Sequence, residues 1–200
     1  MALSTHKETD LRNLILERAT KLFQLFGYHK LVMEDIARAV GKSRSTLYLY
    51  YKDKDAIFGA IVEREIKAYL AELTAELQQH HSAVERLRAY FRIKFNFRYA
   101  KATEYLIMNQ EMAQQPEMVN RMRIYTDPPE TEYLMGIIRY GIATDEFVAL
   151  PDEQIRLITT MMISALHNIA NDVLVNVETA NLSSVQTLLQ LLFVDGILSR

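Results

Sequence analysis

Apolar residues return every three or four positions along nearly the whole 200-residue chain, and they almost nowhere alternate singly with polar ones. That period predicts amphipathic helices and few strands. From about Asp10 to Phe26, Leu11, Ile15, Leu22 and Phe26 share one face, widened by Leu14, Ala19 and Phe23. Asp10 suits the N-cap and Gly27 the stop. Residues 1–9 are expected to form a disordered arm. Met33, Ile36, Ala37 and Val40 make the stripe of a second, short helix, closed at Gly41. Ser43 is placed to cap a third, with Arg44, Ser45 and Thr46 at its exposed start and Leu47 turned inward. This is the layout of a helix-turn-helix, whose second helix offers N-terminal side chains to the major groove.

A long helix is predicted from Asp53–Lys54 to about Gln79, carrying Ile57, Ile61, Ile66, Leu70, Leu73 and Leu77. No Gly/Pro-rich linker separates it from the preceding motif, so the two parts of the chain are joined by a helix start. Helices over 83–102, 103–115 and Pro116–Tyr125 follow. Asp127-Pro128-Pro129 is read as a break, then a helix over 130–140 and a loop over 141–150. Two strongly apolar helices, Asp152–Val177 and Leu182–Leu198, close the chain. Their seams suit a four-helix bundle with two helices from each subunit, hence a homodimer through about 152–198. Packing within one chain is the alternative.

The expected fold is therefore all-α, with about nine or ten helices. A three-helix helix-turn-helix domain spans 8–53, and a larger helical ligand-binding and dimerisation domain spans 54–200. Half the residues are hydrophobic and 24% charged, as in an ordinary globular protein. There is no cysteine, so disulfides and thiolate metal sites are excluded. No apolar run reaches about 18 residues, and the first ten residues lack the apolar core of a signal peptide. A cytoplasmic address with no membrane partner is expected. Residues 1–64 hold 11 Lys/Arg and 8 Asp/Glu, and the remainder 12 and 17, so a charge of +3 precedes one of −5. The asymmetry fits a nucleic-acid-binding end.

Tyr48 and Tyr50 beside Lys52 and Lys54 fit phosphate clamps, since a phenol donates to phosphate while its ring packs. Tyr51 is read as a core aromatic. Arg44 at the helix start suits a bidentate guanine contact, against the alternative of a solvated charge. His80 and His81 are adjacent and lack the spacing of a helical metal pair, so they are read as a solvated turn. No cofactor and no metal is implied. The region 90–135 is rich in rings and thioethers. Tyr99, Tyr105, Met108, Met112, Met122, Tyr125 and Tyr133, with Met162 and His167 from the later helix, are candidate pocket residues for a largely apolar or aromatic ligand. Core packing is the competing reading of that stripe. Nucleophile elbows, phosphate loops and catalytic cysteines are absent from the sequence, so no enzyme is expected.

The stretch GYHKLVMEDIARAVGKSRSTLYLYYKDKDAIF (27–58) resembles the DNA-binding domain of TetR-family transcriptional regulators. The resemblance rests on Gly27-Tyr28, Glu34-Asp35-Ile36-Ala37, Gly41, Ser43, Thr46-Leu47-Tyr48, the aromatic at 51, Lys54 and Ile57. It implies a homodimeric repressor on a palindromic double-stranded operator, released by a small-molecule effector. It further implies base contacts from Arg44, Ser45, Thr46 and Leu49, and phosphate contacts from Tyr48, Tyr50 and Lys54. One position departs from the family pattern: Val32 stands where a capping threonine is usual, a cap worth about 1 kcal/mol. Two other functions remain open on the residues. One is a ligand-independent DNA-binding or chromosome-organising factor on the same scaffold. The other is a helical small-molecule-binding protein or enzyme.

Overall fold

The computed structural model describes residues 2–175, 187 and 191–194. Eight helices are delimited there: α1 (Ala2–Phe26), α2 (Met33–Val40), α3 (Arg44–Tyr48), α4 (Lys54–Leu77), α5 (Ala83–Glu104), α6 (Leu106–Ala113), α7 (Pro116–Ala143) and α8 (Asp152–Val175). Residues 191–193 are a further helical turn, and no extended strand occurs among the described residues. The fold is all-α, as the apolar period requires. Most of the expected second terminal helix, 182–198, lies outside the described residues. So do the side chains of Ile169, Val173 and Val177.

Two compact units form. One joins Met1–Ile66 to Thr103–Tyr125, the other Lys67–Ala102 to Thr126–Arg200. Helices α4, α5 and α7 each contribute residues to both.

In the first unit Ile15, Ala19, Phe23, Leu31, Ile36, Leu47, Ile57 and Ile61 are buried together. Phe23, Tyr28 and Phe58 form a ring cluster with centroids 5.4–6.0 Å apart. α2 stops at Gly41, whose φ of 71° is left-handed, and the N–H of Lys42 closes on Ala37 O at 3.0 Å. Glycine meets that conformation without a Cβ penalty. At the other end, Val32 contributes no side-chain cap. Asp35 supplies half of what is lost, because its carboxylate accepts from the Val32 N–H at 3.2 Å. That is the return arm of a capping box without its outgoing arm.

Two expectations are overturned. Residues 2–9 continue α1 rather than forming an arm. The break at Asp127-Pro128-Pro129 does not occur, and α7 runs through both prolines. Each proline removes one N–H, so the carbonyls of Ile124 and Tyr125 lose their helical donors. The Thr131 hydroxyl donates to Asp127 O at 2.8 Å just beyond. Glu130, Leu134, Met135, Ile137 and Ile138 are all buried in the following turns, and that burial outweighs the local preference against helix.

The second unit buries Tyr69, Leu73, Leu87, Tyr90, Phe91, Leu134, Met135, Ile138 and Met162. Phe91 stacks on Phe193 at 5.6 Å. The turn between α7 and α8 returns Glu146 to the start of α5, where its carboxylate accepts from the N–H groups of Ala83 (2.8 Å) and Val84 (3.2 Å). Leu157 and Met161, one turn apart on α8, remain 61% and 60% exposed.

Candidate DNA-reading surface and regulatory core

α3 is five residues long, and one buried side chain, Leu47, anchors it. Ser43 caps it by accepting from the Thr46 N–H at 3.2 Å. The hydroxyls of Ser45 and Thr46 lie 2.9 and 2.8 Å from Ser43 Oγ. Arg44, Ser45 and Tyr48 are exposed, and Leu49 is 81% exposed; Thr46 and Tyr50 are partly covered. The helix therefore spends one residue on the core and turns its remaining face outward. Arg44 lies along Tyr48, with its Nη2 donating to the phenol oxygen at 3.2 Å and its guanidinium 5.4 Å from the ring centroid. Tyr50 and Tyr51 flank Arg12 of α1, at 5.5 and 5.7 Å. Tyr51 is buried, as expected of a core aromatic. Its phenol is pushed up by burial, with Arg12 opposing.

Lys54 is differently placed from Arg44. Its ammonium donates to Tyr28 O at 2.6 Å and Leu31 O at 2.9 Å, and lies 4.1 Å from the Tyr28 ring centroid. Burial pulls its pKa below the usual lysine value, with Glu111 opposing. Glu111 of α6 faces the same loop from its donor side, accepting from the N–H groups of Tyr28 (2.6 Å) and His29 (3.3 Å). Glu111 was not legible in the sequence, because nothing in a helix of scattered polar residues marks one carboxylate as a cap for a loop 82 residues earlier.

The candidate pocket residues fall into both units. Tyr105, Met108, Met112, Met122 and Tyr125 belong to the first. Tyr105 and Met108 are buried there, and the Tyr105 hydroxyl donates to Glu65 at 2.5 Å, so burial and that carboxylate both push its pKa up. Tyr125 lies against Gly59, where a Cβ would come 2.7 Å from its oxygen. Tyr99, Tyr133, Met162 and His167 belong to the second unit. Met162 and His167 are buried; Tyr99 and Tyr133 are half-buried.

The strongest polar feature of the second unit went unread in the sequence. Glu130 and Lys94 are 1% and 3% exposed and pair at 2.5 Å. The other Glu130 oxygen accepts from Tyr90 (2.9 Å) and Tyr69 (3.3 Å). Burial lowers the Lys94 pKa and Glu130 opposes it. Burial and Glu130 together raise both tyrosines well above their usual value. His167 Nε2 lies 3.8 Å from Asp127 Oδ1. One signal was available: Lys94 sits within the aromatic run Tyr90-Phe91-Arg92-Ile93-Lys94-Phe95, on the apolar face of α5. Its partner was hidden by the expected break before residue 130. Among the described residues no group of three His, Cys, Asp or Glu is placed to hold a metal ion, and no helix is long and apolar enough to cross a membrane.

Residues 15–61 match the family model of bacterial regulatory proteins, tetR family. The chain is 32% identical over 74 residues to the HTH-type transcriptional repressor ComR of Escherichia coli (strain K12), covering 37% of this chain and 35% of that one. It is 30% identical over 80 residues to the HTH-type transcriptional regulator RutR of the same strain, covering 40% and 37%. The matched stretches thus span about a third of these curated relatives (35% and 37%). In fold, the chain resembles a transcriptional regulator FadR from Bacillus subtilis in complex with stearoyl-CoA, with a TM-score of 0.72 at 20% identity over 92% of this chain and 98% of that one.

Proposed function

We propose that the chain is a member of the TetR family of bacterial regulatory proteins, whose model its residues 15–61 match, and that it is a sequence-specific, DNA-binding transcriptional regulator of the repressor type. The observation that carries this reading is α3, a capped helix that sinks Leu47 and turns Arg44, Ser45, Tyr48 and Leu49 outward. In the proposal, Arg44, Ser45, Thr46 and Leu49 read base edges, and Tyr48 and Tyr50 meet phosphates. Lys54, already donating to two carbonyls, acts chiefly by fixing the loop before α2.

Two copies pair through α8 and the chain that follows it, which the exposed Leu157 and Met161 support. A palindromic operator then presents one half-site to each head. A largely apolar or aromatic effector binds within the helical part beyond residue 66 and releases the protein from DNA. That a FadR of similar fold is found with stearoyl-CoA supports an apolar class of effector. Release is a population shift: reversing a 1:99 balance takes about 5.5 kcal/mol of preference for one state. The address proposed is the cytoplasm, where the operator is.

The test selects duplexes from a randomised library with the purified protein and follows binding by fluorescence anisotropy between 50 and 200 mM salt, about the range over which several phosphate contacts are felt. A palindromic consensus and an affinity falling steeply with salt are expected. Binding without salt dependence, or no enriched sequence, refutes the reading and favours a helical small-molecule-binding protein.

A further inference from the structure

We infer that Glu111 of α6 is a positioning residue for DNA reading: with Lys54 it clamps the loop that sets the start of α2. The inference rests on the DNA-binding reading above and adds to it a residue outside the matched segment 15–61.

Both polar backbone groups of Tyr28 are held by charged side chains from other helices. Its N–H goes to Glu111 of α6 at 2.6 Å and its carbonyl to Lys54 of α4 at 2.6 Å. His29 N–H and Leu31 O extend the clamp by one bond on each side. Anion faces donors and cation faces acceptors, so every bond in the set is charge-assisted. Gly27 makes the approach possible. Its φ is 75°, and a Cβ there would lie 2.7–2.9 Å from the Glu111 carboxylate.

The held loop ends at Val32, the N-cap of α2. Val32 offers no side-chain oxygen to a phosphate, and the N–H groups of Asp35 and Ile36 already bond Val32 O, so grip at that end falls to the backbone N–H groups of Met33 and Glu34. Those groups do not adapt as a flexible side chain would. They reach a phosphate only if the loop delivers the helix start to the right place. Glu111 thus acts on DNA without touching it.

The sign of its effect separates this role from plain electrostatics. Removing a negative charge from a DNA-binding unit favours DNA binding. Removing a positioning group disfavours it, because apparent affinity scales with the fraction of competent conformers. The experiment compares wild type, Glu111→Ala and Glu111→Gln on a duplex selected by the wild-type protein, with active protein counted by stoichiometric titration. If the loop is competent a tenth of the time, Glu111→Ala binds about tenfold more weakly. Its salt slope matches wild type, and Glu111→Gln falls between. The amide proton signals of Tyr28 and His29 move upfield in Glu111→Gln, a readout that holds even if Glu111→Ala fails to fold. Affinity equal to or tighter than wild type, or unmoved amide signals, overturns the inference while leaving the DNA-binding reading intact. A wild-type protein with no salt-dependent DNA binding overturns both.

Discussion

The buried Lys94–Glu130 pair permits a prediction whose size follows from two independent limits. Glu130→Ala removes the acceptor for the Lys94 ammonium and for both the Tyr69 and Tyr90 hydroxyls. Breaking a buried pair by deleting one partner costs about 3–5 kcal/mol. The charge left behind has an escape, which is to release its proton. A lysine with an ordinary pKa near 10.4 does so at pH 7 for about 4.6 kcal/mol, and this caps the ammonium's share of the penalty. The two figures agree, so a loss of about 4 kcal/mol is expected. With an m-value of about 2 kcal/mol/M, the urea midpoint falls by about 2 M. The escape route also fixes the pH dependence. In the variant, burial without a counter-charge favours neutral Lys94 in the native state while the unfolded chain still holds that proton, so stability rises with pH. The deficit against wild type shrinks as pH rises from about 7 to 9, by an amount that approaches about 1.4 kcal/mol per pH unit. Lys94→Met/Glu130→Gln removes the charge at both positions and keeps an acceptor for the tyrosines, so it recovers much of the loss, less what the buried Arg98 guanidinium loses with the Glu130 carboxylate. Urea titrations of the three proteins at pH 7, 8 and 9 decide the matter. A deficit flat across that range, or a double variant as weak as Glu130→Ala, refutes the argument.

Other expectations follow from single residues. The N–H groups of Ala83 and Val84 and the hydroxyls of Thr144 and Ser82 outweigh desolvation, which acts to raise the Glu146 pKa, and hold the carboxyl below its usual value. Its stabilisation is therefore present above the unfolded carboxylate pKa and lost as pH falls through the lower folded one. Glu146→Gln should cost about 1 kcal/mol at pH 7, and thermal melts of variant and wild type should converge below about pH 4. Gly27→Ala should lose about 1–2 kcal/mol for its left-handed φ alone and weaken DNA binding as Glu111→Ala does, since its Cβ displaces the carboxylate; binding unchanged in a folded Gly27→Ala would argue against the clamp. Arg44→Ala should relax preference at one base pair of each half-site by about 1–3 kcal/mol, read from duplexes selected with the variant, and an unaltered consensus would remove Arg44 from the base-reading set.

The helix-turn-helix was legible because its parts are local. The stripe Met33, Ile36, Ala37, Val40, the stop at Gly41 and the cap at Ser43 each depend on neighbours within a few positions. α4, expected over 54–79, ends at Leu77 for the same reason. What escaped the sequence is what distant segments do to one another. Pro128 and Pro129 end a helix on local grounds, yet α7 passes through them because the turns after them are buried. Segment 103–125 joins the compact unit of the N-terminal helices, and no periodicity within 103–125 announces that. Glu111 and Glu130 look alike in sequence, two carboxylates on helices. One caps a loop and the other sits against a lysine, and only the partners distinguish them.

The buried quartet around Glu130 also bears on the order in which the second unit assembles. Tyr69, Tyr90 and Lys94 come from α4 and α5, consecutive helices that meet early in any collapse. Glu130 arrives from 36 residues beyond Lys94. Until it does, an α4–α5 pair that closes over Lys94 must strand an ammonium without a counter-charge, and one that stays open leaves two tyrosines wet. A half-built unit is therefore penalised in either form. Arrival of α7 and closure over Lys94 become a single step, so the same carboxylate that holds the finished core withholds stability from its incomplete versions.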